Sequence, residues 1–213
     1  MATVDREILR KPDVRLGLSL EPNALGRLVQ VLIAFVGLIL LSPLLGLIAL
    51  AVKLTSPGPI LYRGERVGKD ERTFTIYKFR TLAVGAEKQI GARLLKEEDH
   101  LYTRIGKLLK KTKLDEIPQL FNVIKGDMSL VGPRPEQPAF VEKFRAMIPR
   151  YMERHREKAG ITGWAQVNGL RGDTSIVERT KYDLWYIENW SIWLDVKILV
   201  RTAMRVFADR NAY

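Results

Sequence analysis

The residues of this sequence that could do chemistry are carboxylates with basic partners, and the first pair is Asp115-Glu116. Asp115 suits the N-cap of a predicted helix that ends before Gly126, with Pro118 in its first turn. A helix N-terminus attracts phosphate through its free N–H groups and partial positive charge. Adjacent carboxylates can divide nucleophilic, metal-binding and proton-transfer roles, and Mg²⁺ prefers one or two of them plus phosphate oxygens. The same Asp-Glu start is common in helices without catalytic function, so both interpretations stay open here.

Three cations could serve such a site. Arg134 lies between Pro133 and Pro135, so its backbone is stiff, and its planar guanidinium can bind phosphate oxygens in a bidentate way. Lys78 and Arg80 are two residues apart on a predicted strand, so we expect them to project from the same face. They could line an anion site or be solvated surface residues.

Composition excludes several other chemistries. The 213 residues contain no cysteine, which removes disulfides, thiolate metal sites and cysteine nucleophiles. The two histidines, His100 and His155, are far apart without an HExxH motif, so a histidine-built metal site is not expected. The sequence has neither GxxxxGK[ST] nor GxGxxG, which argues against P-loop and dinucleotide-binding proteins. The length suits one compact domain, with room for an appendage.

The chain is basic, with 35 Lys and Arg against 24 Asp and Glu, a net charge of +11. Such a charge favours anionic partners, namely nucleic acid, anionic lipid or phosphorylated substrates. No nucleic-acid-binding motif accompanies it.

An uncharged run over residues 28–52 includes only two polar residues, Gln30 and Ser42. It exceeds the roughly 20 residues that cross a bilayer core, and a buried soluble helix seldom stays apolar all round for this length. Ser42-Pro43 interrupts the run, because proline removes an amide donor and serine can bond back to the helix. Both flanks are basic. The run therefore predicts either a re-entrant segment or a kinked spanning helix, and it does not decide between them.

Further patterns place the motifs on elements. Residues 60–65 and 72–79 alternate in polarity around Gly68-Lys69-Asp70, which predicts a β-hairpin. Helical patterns cover 83–109, 139–157 and 176–207, the last with three tryptophans that suit either a membrane interface or a core. We expect the 160–173 segment to be rich in turns.

Taken together, these segments resemble the bacterial sugar transferases, the monotopic polyprenyl-phosphate phosphoglycosyl transferases. The resemblance runs over about residues 25–213 through several motifs in order: SPGPILYRGERVG, IYKFRTL, KLDEIPQLFNVIKGDMSLVGPRP and GITGWAQVNG. The ending KYDLWYIENWSIWLDVKILVRTAMRVF is similar to the branch that uses UDP-glucose. Larger members of that branch carry an additional N-terminal multi-helix membrane region, so we expect a minimal catalytic form or a truncated one.

The resemblance implies a two-step reaction. Asp115 would attack the sugar-bearing phosphorus of a UDP-sugar and expel UMP, and undecaprenyl phosphate would then take the phosphosugar from the aspartyl intermediate. Glu116 would hold Mg²⁺ with Asp115 or assist the second attack. Arg134, Lys78 and Arg80 would bind substrate phosphate. Arg171 and Asp183 match further family positions, which we assign to substrate binding. Such a reaction begins the assembly of exopolysaccharide, capsule or O-antigen repeat units.

The implied fold is α+β, mainly helical with a small β-hairpin, in a monotopic membrane protein. Its parts would be a partly flexible or surface-lying lead-in (1–27), a re-entrant helix bent at Ser42-Pro43 (28–52) and a cytosolic catalytic domain with membrane-interface helices (53–213). The protein would lie on the cytoplasmic face of the bacterial inner membrane, in contact with its lipid. The resemblance also allows for a homodimer, and it implies no nucleic-acid partner.

Three other functions are weighed against this one. A membrane-anchored scaffold or lipid-binding protein would not need Asp115. An ordinary glycosyltransferase would pass the sugar alone and release UDP. A nucleic-acid binder fits the charge but not the apolar run. The sugar itself is open, since galactose or an N-acetylated amino sugar could replace glucose.

Overall fold

The computed structural model describes residues 24–86, 100–172 and 174–208. Its helices are α1 (Ala24–Thr55), α2 (Arg104–Thr112), α3 (Leu120–Lys125), α4 (Pro138–Met147), α5 (Trp164–Val167), α6 (Ile176–Glu188) and α7 (Ile192–Ala208). Its strands are β1 (Leu61–Val67), β2 (Thr73–Phe79), β3 (Met128–Val131) and β4 (Ala159–Thr162), and 3-10 turns span Lys69–Glu71, Leu114–Gln119 and Tyr151–Arg156. The described chain is mostly helical, as predicted, with two small sheets. Most of the lead-in and residues 87–99 of the predicted 83–109 helical segment lie outside the described residues.

The apolar run forms one helix, α1, of 32 residues, about 48 Å at 1.5 Å per residue. It is long and apolar enough to cross a membrane, and large side chains such as Leu40 (73%) and Leu47 (66%) are exposed. The helix continues through Pro43, and the Ser42 hydroxyl donates to the Ile39 carbonyl at 2.7 Å. The predicted division into two half-helices therefore does not interrupt α1. A bend at Pro43 stays a prediction.

Both ends of α1 pack against the rest of the chain. Near the first end, the Arg27 guanidinium donates to the Val123 carbonyl at the end of α3, one of the acceptors that a helix terminus leaves free. Near the other end, Val52 is buried with Phe79 of β2 and Leu109 of α2. Between these contacts one face of α1 stays packed, with Ala34 fully buried in the largest apolar cluster, and the other face presents exposed apolar side chains.

The predicted hairpin is confirmed. β1 and β2 pair antiparallel, with Leu61 opposite Phe79 and Val67 opposite Thr73. The alternation that predicted it is visible in the structure, since Ile76 and Phe79 are buried while neighbouring side chains are exposed or half-buried. This hairpin carries Lys78 toward the site described below.

A second, parallel strand pair was not predicted. β3 and β4 pair with Met128 opposite Ala159 and Val131 opposite Thr162, inside the largest apolar cluster. Directly after β3, the backbone at Gly132 passes close to the backbone that precedes β4, since a Cβ on Gly132 would lie 2.3 Å from the Lys158 carbonyl oxygen. Only glycine fits at this position. It allows the two backbone segments to pack closely where the chain enters the proline-rich segment after β3.

Two predicted helices have different bounds. The 139–157 helix ends at Met147, because Pro149 cannot continue the ladder and Arg150 takes a φ of +60°, after which the chain forms a 3-10 turn. The 176–207 pattern divides into α6 and α7 around Asn189–Ser191. Trp190, at this junction, donates to Asp195 at 3.2 Å, whereas Trp193 is 81% exposed.

Candidate functional site

Asp115 lies in the 3-10 turn Leu114–Gln119 that joins α2 to α3. The sequence predicted that it caps a helix, but the turn begins earlier, at a left-handed Lys113 (φ +60°) that ends α2. Pro118 is inside this turn, where its ring suits the first residues of a helix. The tight turn leaves Asp115 only 3% exposed, so the carboxylate is held at a fixed position rather than on a mobile loop.

Glu116, the next residue, is held by two cations. The Lys78 ammonium donates to Glu116 at 2.7 Å, and the Arg134 guanidinium donates to both carboxylate oxygens at 2.6 and 3.3 Å. Burial alone would raise the pKa of Glu116, but Arg134 and Lys78 outweigh it and hold that pKa well below its usual value. Glu116 is therefore a fixed negative charge that orients both cations.

In contrast to those of Glu116, the surroundings of Asp115 raise the pKa of its carboxyl group. Burial and the neighbouring Glu116 charge raise the pKa of Asp115, and Lys78, Lys110 and Arg134 offset this only in part. Among the described residues, no side chain forms a hydrogen bond or ion pair with its carboxylate. Two adjacent carboxylates thus have different properties, since one is locked by cations and the other is unengaged.

The cations are themselves perturbed by the cluster. Burial lowers the pKa of Lys78, against the attraction of Glu116, and Glu116 raises the pKa of Arg134. Together with Lys110 they put positive charge around Asp115, which favours the approach of a phosphate. Lys110 was not predicted as part of the site, because nothing in its spacing links it to Asp115.

The structure separates Lys78 from Arg80. Lys78 contacts Glu116, whereas the Arg80 guanidinium donates to the carbonyls of Pro57 at 2.6 Å and Ser56 at 2.8 Å and is 7% exposed. The Arg80 guanidinium is therefore bound by the segment that follows α1, although the Arg80 backbone N–H still donates to the Ile60 carbonyl at 2.9 Å, in line with the register of β1 and β2. The expectation that Arg80 binds substrate phosphate stays a prediction.

Two further predicted site residues are Asp183 and Arg171. Asp183, on α6, is 3% exposed and accepts two hydrogen bonds from Arg154, at 2.6 and 3.1 Å. Arg171 is half-buried in the connection between α5 and α6, where its backbone N–H donates to Gly169 at 3.1 Å. Arg154 was not predicted, because nothing in the charged stretch around it distinguishes it from a surface arginine.

Comparisons with known proteins place this arrangement. A family model described as bacterial sugar transferase matches residues 22–209. The UDP-glucose:undecaprenyl-phosphate glucose-1-phosphate transferase of Escherichia coli (strain K12) is 44% identical over 193 residues, which cover 89% of this chain and 41% of that protein. A protein of the same name from Caulobacter vibrioides is 44% identical over 88% of this chain and 71% of its own length.

A relative with a different donor in its name is equally similar. The UDP-N-acetylgalactosamine-undecaprenyl-phosphate N-acetylgalactosaminephosphotransferase of Aeromonas hydrophila is 47% identical over 86% of this chain and 44% of its own length. The chain thus spans about two fifths of the length of the Escherichia coli and Aeromonas proteins.

Proposed function

The chain belongs to the bacterial sugar transferase family, and from this premise we propose that it transfers a sugar 1-phosphate from a UDP-sugar to undecaprenyl phosphate and releases UMP. The observation that carries the proposal is the pairing of a buried Asp115, whose carboxylate has no hydrogen bond or ion pair within the described part of the chain, with a Glu116 that is locked to Lys78 and Arg134. This geometry offers one carboxylate for attack and a set of cations for phosphate.

Asp115 is the nucleophile of the first step. One of its oxygens attacks the phosphorus that bears the sugar, and the bond from this phosphorus to the oxygen bridging toward UMP breaks, so UMP leaves with that electron pair. Glu116 cannot take this role, because both of its oxygens are bound by cations. The first step leaves a sugar phosphate esterified to Asp115 as a mixed anhydride.

In the second step a phosphate oxygen of undecaprenyl phosphate attacks the same phosphorus. The bond to Asp115 breaks, the free carboxylate is restored, and undecaprenyl diphosphosugar is formed. Arg134 and Lys78 offset the charge of the phosphate groups, which would otherwise repel a carboxylate nucleophile. A two-step route also lets two anionic substrates use one cationic site in turn.

Mg²⁺ fits this site as a partner of the donor. The described residues contain no cluster of three or more metal-binding side chains, and Mg²⁺ commonly takes only one or two carboxylates together with substrate phosphates. Asp115 would hold it together with donor phosphate oxygens, and Glu116, whose two oxygens already accept from Lys78 and Arg134, would act on the ion through its charge. Bound there, the ion would neutralise diphosphate charge.

We place the protein on the cytoplasmic leaflet of the inner membrane, with α1 as a re-entrant anchor. The support is that both ends of α1 contact the same group of elements, through Arg27 at one end and Val52 at the other. A helix that crossed the membrane would carry one end away from the catalytic elements. α7 provides a second apolar surface, with Trp193 and Val200 exposed beside Lys197 and Arg201, as in interfacial helices.

Glucose 1-phosphate is the group we propose for transfer. The names of the Escherichia coli and Caulobacter relatives specify UDP-glucose, and the C-terminal segment resembles that branch. The similar N-acetylgalactosamine relative makes the competing donor explicit.

Product analysis tests the proposal. Purified protein in detergent is incubated with UDP-glucose, undecaprenyl phosphate and Mg²⁺, and the lipid fraction is examined by mass spectrometry. We expect undecaprenyl diphosphoglucose with the wild type and none with Asp115→Asn, while Glu142→Gln, an exposed carboxylate on α4, serves as the matched control. Replacing the donor by UDP-N-acetylgalactosamine tests the sugar separately. A lipid that carries glucose through a single phosphate, or no lipid product from either donor, would contradict the proposal.

A further inference from the structure

The main chain around Arg134 is held at several points. We call residues 132–138 the Arg134 loop. Its Pro133 carbonyl accepts from the Gly160 N–H at 2.9 Å, and its Glu136 carbonyl accepts from the Val67 N–H at 2.9 Å. Since Pro133 and Pro135 also restrict the backbone on either side of Arg134, the loop has one defined course between β3 and α4.

The carbonyl of Arg134 itself is held by a buried side chain. The Arg154 guanidinium donates to this oxygen at 2.8 Å, and the same group donates to Asp183 at 2.6 and 3.1 Å. The two side chains are 1% and 4% exposed. A single planar group therefore links α6 to the residue whose side chain binds Glu116.

The energetics of the buried Arg154–Asp183 ion pair favour a role in orienting the Arg134 loop. A buried ion pair recovers in attraction about what it loses in desolvation, so it is weak evidence for stability. The pair does have a defined geometry, because Nε and one terminal nitrogen of Arg154 both donate to the same Asp183 oxygen while that terminal nitrogen also donates to the Arg134 carbonyl. The Tyr151 hydroxyl, which accepts from Arg154 at 3.3 Å, restricts it further.

We propose that Arg154, oriented by Asp183, is a positioning residue that fixes the Arg134 carbonyl and thereby aims the Arg134 guanidinium at the Glu116 site. Neither side chain is accessible to substrate, so both act through Arg134. The substrate-binding role that the sequence suggested for Asp183 is replaced by this indirect one. The inference rests on the proposed function for its activity readout.

A double-mutant cycle tests the inference. UMP release from UDP-glucose is measured in single-turnover experiments for the wild type, Asp183→Asn, Arg134→Ala and the double variant. Displacement of a positioned group costs roughly ten- to a hundredfold, so we expect a loss of kcat/KM of that size for Asp183→Asn in the wild-type background. In the Arg134→Ala background the same substitution should change the rate less than about twofold, because residues that act as a unit are not additive. Equal losses in both backgrounds would overturn the proposal.

The kinetic constants separate misplacement from partial unfolding. A smaller folded fraction lowers kcat and leaves KM unchanged, whereas a misplaced Arg134 raises the KM for UDP-glucose. Glu188→Gln is the matched control, since it removes an exposed carboxylate on α6 that pairs with Arg150 at 2.8 Å. Arg154→Lys is a second variant that retains the buried charge but not the fork of donors, and we expect it to raise KM as well.

Amide hydrogen exchange provides a readout that does not depend on activity. We expect the Arg134 loop to exchange faster in Asp183→Asn than in the wild type, and to be unchanged in Glu188→Gln. Unchanged exchange in Asp183→Asn would overturn the inference. If the wild type released no UMP from any donor, the proposed function would fail, and the exchange data alone would decide whether this pair holds the loop.

Discussion

Asp115 occupies a position that is unfavourable for folding and useful for chemistry. Its carboxylate is buried beside the Glu116 charge, and the nearby cations Lys78 and Arg134 bind Glu116. A group whose charged form is disfavoured in the folded protein lowers stability at neutral pH. Strained or poorly solvated groups of this kind are common at functional sites.

The first prediction concerns Asp115→Asn. This nearly isosteric change should abolish UMP release and also stabilise the protein, by about 1 kcal/mol or a rise in Tm of roughly 2–4 °C. Because the folded-state pKa of Asp115 is raised, the wild type loses stability as pH rises from 3.8 through that pKa. The difference in stability between Asp115→Asn and the wild type should therefore be largest at neutral pH and shrink on acidification. Thermal unfolding in EDTA at a series of pH values measures this difference. Glu142→Gln should have no effect, and an active or less stable Asp115→Asn would contradict the account.

His155 gives a second prediction at this scale. It is 5% exposed, neither ring nitrogen has a hydrogen-bond partner among the described residues, and burial, with Arg154 and Arg145, lowers its pKa from 6.5 to about 4. The group is thus neutral when folded and protonated when unfolded at pH 5.5, so its contribution to stability is present above pH 6.5 and lost toward pH 4.

Unfolding experiments between pH 7.5 and 5.5 check this. We expect the wild type to lose about 1 kcal/mol more than His155→Phe, which keeps a ring edge against Tyr151 but does not titrate. The exposed His100 is the control, and His100→Gln should follow the wild type. Identical pH dependence of the wild type and His155→Phe would show that His155 is not held neutral.

Among the helices and strands, those that follow from a local sequence pattern were predicted, whereas the contacts between distant parts of the chain were not. The hairpin β1–β2 and the apolar helix α1 follow from periodicity that lies within the segments themselves. The Arg27 contact to α3 joins residues 96 apart in sequence, and β3 and β4 are only four residues long. Such pairings depend on the assembled core, which periodicity does not report.

The site shows the same division. Asp115, Glu116 and Arg134 were assigned to one site by the resemblance to the family, and the structure brings the Arg134 guanidinium onto Glu116. Arg80 was grouped with Lys78 by strand alternation, which does not report that the Arg80 guanidinium donates to the Pro57 and Ser56 carbonyls. Arg154 gave no signal, since its importance comes from a carbonyl 20 residues away in the chain.

The packing of both ends of α1 predicts its topology. The sequence has no cysteine, so single cysteines can be introduced without background at Leu25 and Lys53, with Lys125→Cys marking the catalytic side. We expect a membrane-impermeant thiol reagent to reach all three positions only from the cytoplasmic side. Labelling of the two ends of α1 from opposite sides would contradict the re-entrant anchor.

Pro43 is expected to support this topology. Pro43→Ala restores an amide donor and removes a clash with the preceding turn, so the helix should shift toward a spanning orientation. The same labelling at positions 25 and 53 measures the shift. Leu44→Ala, one residue along, is the control, and unchanged labelling in Pro43→Ala would count against the role given to proline.

At the scale of the whole molecule, apolar exposure and positive charge lie together. α1 and α7 carry many of the exposed large apolar side chains, while Lys197 and Arg201 lie over the Trp164 ring at 5.7 and 5.2 Å, with Trp185 stacked on it. Cations held on aromatic rings beside an apolar surface suit the phosphate layer of a membrane. On the proposed function, this arrangement would let a lipid-borne acceptor and a soluble donor reach one cationic site.

If Asp115 receives the sugar phosphate from the donor, the protein must release a nucleotide even when no acceptor is present. Purified protein is mixed with UDP-glucose and Mg²⁺ in the absence of undecaprenyl phosphate, and nucleotides and tryptic peptides are analysed together. We predict release of UMP in an amount limited by the enzyme, with hexose phosphate on the peptide that contains Asp115. Release of UDP, or UMP without a modified peptide under conditions that preserve acyl phosphates, would contradict the account.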